Sequence, residues 1–171
     1  MSGTDAVRTS LAAVASLLAP ARPAVGERVL LAHDDPERYV DTYAARLANR
    51  GIDGPVPDLA RTALVDALGE HRLLAECDWK EQPAEIRARL EKLASRPSVD
   101  PWVLFGARDM RLRTAAFLEA CGRHYRDVGA TLAVLDTGSD CYPVVCLRAA
   151  RAGELTALAG PAGIAVRILG A

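Results

Sequence analysis

Aromatic side chains make up only 5% of this chain, and no stretch of it is apolar for long. The first scarcity removes the stacking platform on which single-stranded nucleic acid is usually held. The second leaves no membrane span, which takes about 20 consecutive apolar residues. An excess of one charge is missing as well. The 21 basic and 22 acidic residues leave a net charge of −1, without the basic surplus that meets a duplex. Neither nucleic acid nor membrane is therefore expected as a partner. Also absent are a Gly-rich phosphate loop, a GxSxG elbow and an HExxH pair, so no cofactor and no metal are expected.

The four cysteines, Cys77, Cys121, Cys141 and Cys146, include no CxxC pair. Leu11–Ala19 has the look of a secretory apolar core. However, Asp5 stands where a positive segment belongs, and Ser16 interrupts the run. This segment reads as an amphipathic helix, so a cytoplasmic location and reduced thiols are expected.

Half of the 171 residues are apolar, enough for one domain with its own core. Thr4 or Asp5 is placed as the cap of a first helix running to Leu18, stopped by Pro20 and Pro23. A loop over residues 21–27 then leads to the apolar run Val29–Ala32. Asp35-Pro36 opens a second helix that Gly51 closes, with Val40, Tyr43 and Leu47 inward. A third spans Asp58–Gly69, burying Leu59, Ala63, Leu64 and Leu68. Another starts at Pro83 with Ile86, Leu90 and Leu93 on one stripe, and a longer one covers Asp109–Val128. Strands are expected at Leu73–Trp79, Thr131–Asp136, Tyr142–Arg148 and Ile164–Leu169, with Gly138 in a hairpin and a short helix near Glu154–Ala159. Pro143 belongs at a strand start or an edge, because it cannot donate to a ladder. This order predicts an α+β fold: a small mixed sheet of about four strands with helices packed on it and a helical N-terminal half.

Leu135-Asp136-Thr137-Gly138-Ser139 resembles the active-site signature of aspartic proteases, where two such Asp residues share a proton. Those enzymes are all-β and need the motif twice. Here it occurs once, behind a largely helical pattern, so it reads as a turn whose side chains bond their own backbone.

Glu76-Cys77-Asp78-Trp79-Lys80-Glu81, together with Leu135–Val144, resembles a family of small bacterial proteins of unknown function. The likeness follows the order of elements from Arg46 to Ala159. It implies the α+β fold and a cytoplasmic setting, and it brings no activity with it.

Asp78 and Trp79 close one strand, Lys80 follows, and Asp136, Ser139, Asp140 and Tyr142 stand at the ends of others. These seven are the candidate ligand- or partner-binding residues, because side chains become available to ligands where strands end. Asp78, Asp136 and Asp140 can act as an acid/base pair or hold a divalent ion. The favoured reading of these residues is structural: the Asp residues cap turns while Trp79 packs its ring and Tyr142 fills a corner. His33 with Asp34 and Asp35 would suit a metal, but Asp35-Pro36 is also a helix start. Cys121 and His124 share a helical face, with Cys121 on the apolar stripe.

The reading chosen is a non-catalytic interaction module of the bacterial cytoplasm, partner-binding or toxin-neutralising (immunity-type), that takes another protein or a small ligand. The alternative is a small accessory enzyme, a hydrolase or cyclase, using the turn carboxylates with Tyr142 or a cysteine. A structural subunit of an oligomer is the third. An enzyme should line a concavity with Asp78, Asp136 or Asp140, whereas a module should expose an apolar or aromatic patch. One expectation is directly measurable. Protein purified without reductant and alkylated after unfolding should carry four labels by mass, and fewer would reveal a disulfide.

Overall fold

All four expected strands form, as β1 (Leu74–Asp78), β2 (Ala130–Asp136), β3 (Cys141–Arg148) and β4 (Ala165–Ile168). They make one sheet in the order β1-β3-β2-β4. The computed structural model describes residues 2–171. The α+β class holds, and the sheet is antiparallel throughout rather than mixed. The reason lies in the connections. β2 and β3 form a hairpin, and the helix after β3 returns the chain to run against β2.

Helices cover both faces. α1 (Gly3–Leu18), α2 (Pro23–Asp34), α5 (Leu59–Glu70) and α8 (Ala152–Ala159) pack on Leu74, Ala133, Leu135 and Val145. On the other face, α6 (Pro83–Glu91) and α7 (Thr114–Asp127) cover Ala75, Cys77, Leu132, Val134, Val144 and Cys146, joined by Trp102 from a 3₁₀ turn at Pro101–Leu104. Alternate residues of a strand point to opposite faces, and here both faces are dry, so β2 is buried at six consecutive positions. Tyr39, Leu47, Leu59 and Ala63 form a third, smaller core around α3 (Pro36–Thr42) and α4 (Ala44–Ala48).

Several local expectations are corrected. α1 is capped by Ser2, whose hydroxyl accepts the Asp5 N–H at 3.3 Å, rather than by Thr4 or Asp5. Only residues 21 and 22 of the expected loop at 21–27 lie outside a helix, because Pro23 starts α2 from its first turn, where a missing N–H costs nothing. The helix expected from Asp35 to Gly51 breaks at Tyr43 into α3 and α4. Tyr43 lies beneath the buried Arg28 guanidinium, 4.0 Å from its ring centre. The helix expected from Asp109 begins as a 3₁₀ turn at Asp109–Arg111, and α7 proper starts at Thr114. Pro143 lies third in β3, an inner strand. It pairs with Glu76 of β1, and the ladder with β2 ends one residue away, at Val134 opposite Val144. Its missing donor therefore falls just past the last paired position on that side.

α7 meets the end of the chain with no space to spare. A Cβ on Gly122 would overlap the Leu169 carbonyl, and Glu119 accepts the Gly170 N–H at 2.5 Å. Helix propensity alone predicts that Gly122→Ala gains up to about 1 kcal/mol. The packing predicts the opposite sign, a loss of about 1–3 kcal/mol. Equilibrium denaturation of this variant decides between them.

Candidate functional site

The two motifs meet at one end of the sheet. In the β1–β3 register Cys77 lies opposite Tyr142 and Asp78 opposite Cys141, and the Trp79 N–H donates to the Asp140 carbonyl at 3.0 Å. Strand alternation then divides them. Cys77 and Tyr142 belong with the core under α6 and α7, so Asp78 and Cys141, one residue removed on each strand, take the other face. Asp78 and Cys141 therefore point away from the side that Cys77 and Tyr142 share, and the cluster of seven separates accordingly.

Most of the polar members are occupied locally. Asp78 Oδ1 accepts the Lys80 N–H at 2.9 Å, and Asp136 Oδ1 accepts the Gly138 N–H at 2.8 Å. Gly138 holds φ +70°, the left-handed conformation this turn needs. Ser139 Oγ lies 2.8 Å from the Thr137 hydroxyl and accepts the Cys141 N–H at 3.3 Å. The Asp140 side chain is exposed and makes no hydrogen bond among the described residues.

Trp79, Lys80 and Tyr142 share an open groove of about 580 Å³ between the end of β1 and the start of α7. Trp79 is 50% exposed, and Lys80 Nζ lies 4.6 Å from its ring centre, within cation–π range. Leu112 adds apolar surface, while Arg111 and Arg113 add positive charge. The one carboxylate in the wall among the described residues, Glu81, is buried and paired with Arg89 at 2.5 Å. The Thr114 hydroxyl donates to the Glu81 carbonyl at 2.8 Å, fixing α7 against the end of β1. Among the described residues no side chain caps the first turn of α7, so the positive end of its dipole also opens here. The groove is thus aromatic at its centre and cationic around it. Asp78, Asp136 and Asp140 do not line it.

Residues 10–169 match the family model described as Domain of unknown function (DUF6630). The chain belongs to that family. No curated protein and no solved structure matches it.

On the opposite face of the sheet, this DUF6630 chain holds a charged cluster that its sequence did not announce. Asp66 of α5 is fully buried and pairs with Arg46 at 3.1 Å and Arg50 at 2.5 Å, and Arg50 also pairs with Glu76 of β1. Arg61 Nη2 donates to the Thr137 carbonyl at 3.2 Å, tying α5 to the hairpin turn. One signal was present: Asp66 interrupts the apolar run from Ala63 to Leu68. Arg111 and Arg113 had no comparable signal, because they lie in a stretch that read as continuous helix.

Three of the four thiols, Cys77, Cys121 and Cys146, are buried. Burial pushes Cys77 and Cys146 up to about 12, and Cys121 is raised by the same cause. Cys141 is raised by burial and then by Glu76 and Asp78. Since the thiolate is the reactive form, the three buried thiols act as small apolar side chains. Nor do the histidine clusters assemble. Asp34 pairs with Arg8 and Asp35 caps α3, while His124 bonds Asp109 at 3.2 Å.

The two turn carboxylates should separate on substitution. Asp136→Ala removes a cap from the hairpin and should cost about 1 kcal/mol. Asp140→Ala removes an unbonded exposed group and should change stability by less than about 0.5 kcal/mol. Thermal melting of both variants checks the difference, and equal losses would contradict it.

Proposed function

We propose that this protein is a non-catalytic binding module of the bacterial cytoplasm, of the partner-binding or immunity type. Its partner is another protein presenting an acidic segment with an aromatic or apolar anchor. The observation that carries this reading is the half-exposed Trp79, set beside Tyr142 and under Lys80. A tryptophan left this exposed forgoes much of its burial energy, and Trp is prominent among residues that dominate binding interfaces. Arg111, Arg113 and Lys80 around it steer acidic partners and set their register. Val99, Val103 and Leu104, close to the Pro101–Leu104 turn, leave further apolar surface exposed, which also favours an interaction role.

The test uses the contrast between the two tryptophans, since Trp102 is buried and Trp79 is not. Titration with a Glu-rich peptide carrying one Phe should shift the Trp79 emission to the blue and saturate. Trp79→Ala should abolish the binding heat that calorimetry records for the same peptide while leaving the melting temperature close to wild type. The double change Arg111→Glu with Arg113→Glu should weaken binding by about tenfold or more, equivalent to about 1.4 kcal/mol. An emission that stays unchanged in every acidic peptide at physiological salt overturns the reading.

A further inference from the structure

A second groove lies at the other end of the sheet, where β3 finishes. Its floor is apolar: Leu17 and Leu18 from the end of α1, Leu73 ahead of β1, and Cys146 and Leu147 of β3. At about 540 Å³ it has the size at which proteins enclose small ligands, roughly 300–1,000 Å³. Its charged lining has one sign. Arg22, Arg148 and Arg151 border it, and no acidic residue does so among the described residues. In a chain whose basic and acidic residues nearly balance, this is a local departure.

The cations are not equally available. Arg151 is held in two hydrogen bonds to Glu154, at 3.0 and 2.8 Å. Arg22 and Arg148 are exposed and pair with no carboxylate among the described residues. Ser95 Oγ is buried on the same groove without a hydrogen-bond partner, and a buried hydroxyl left unsatisfied is costly. The Cys146 thiol, pushed up to about 12 by burial, contributes no negative charge.

From these features we infer that the groove binds a small amphiphilic anion. An acyl-like chain of such a ligand lies along the leucines, and its carboxylate lies between Arg22 and Arg148. The apolar floor accounts for the chain, and the unmatched cations account for the head group. Two charge-assisted bonds to an oxyanion are the stronger kind of hydrogen bond. The site is separate from the Trp79 groove and does not depend on the role assigned there.

Calorimetric titration of the full chain with decanoate, kept below its micelle concentration, tests the inference. Saturable binding at one site is expected, and decanol, with the same chain and no charge, should bind at least about tenfold more weakly. Arg22→Gln combined with Arg148→Gln should weaken decanoate binding by at least about tenfold with the melting temperature preserved. Ala94→Trp tests the apolar half separately. Ala94 is exposed on the rim, and an indole there should block the chain while leaving both arginines in place. Absence of saturable decanoate binding overturns the proposal. So does undiminished affinity in the double glutamine variant or in Ala94→Trp. Sedimentation with phosphatidylglycerol vesicles in the absence of any monomer binding would identify a surface charge effect and would equally sink the ligand site.

Discussion

Asp66 carries a negative charge at a position with no solvent exposure, and the placement of the surrounding elements follows from how that charge is met. Water is not available to it, so Arg46 and Arg50 supply the compensation from the chain just beyond Tyr43. Arg50 does more than neutralise Asp66, because the same guanidinium reaches Glu76 on β1; burial acts to lower its pKa, and the hydrogen bonds to both carboxylates outweigh that and raise it. One cation therefore fixes the small α3–α4 core, α5 and the edge of the sheet relative to one another. Removal of Arg50 would leave Asp66 with Arg46 alone and Glu76 without this partner, and loss of both arginines would leave a buried charge uncompensated, the expensive way to break such a set. Through β1 the constraint passes to Asp78 and Trp79, and through the ladder to Tyr142.

Much of the fold was legible because the sheet is buried on both sides. Apolar runs such as Leu132–Leu135 mark strands without needing alternation, and the stripe Ile86, Leu90, Leu93 marks α6. The misreadings share a cause: one residue type has two local meanings. Pro23 read as a stop for α1 when its better use is the start of α2. Tyr43 read as one more inward residue when its ring is held beneath Arg28, at the break between α3 and α4.

The candidate site was legible in part for a related reason. A tryptophan and a tyrosine at neighbouring strand ends are visible in sequence, and the register brings them together. What alternation does to the residues between them is also fixed in principle, yet it needs the pairing of β1 with β3 before it can be applied. Once it is applied, Asp78 leaves the aromatic side and Asp136 becomes part of a turn. The arginines that give the groove its sign come from a segment whose position depends on Thr114 bonding the Glu81 carbonyl, a contact across 33 residues. No local pattern encodes that.

The strand order has a bearing on how the molecule behaves at high concentration. The two longer strands, β2 and β3, with 7 and 8 residues, are inside, and the shorter β1 and β4, with 5 and 4, are at the rims. Only short rows of backbone groups are thus left for another chain to add to. Those rows carry charge: Glu76 and Asp78 on one rim, Arg167 on the other, held to Glu119. Short, charged borders are poor templates for strand addition. A protein with this much apolar β-sequence is thereby protected from polymerising through its own sheet.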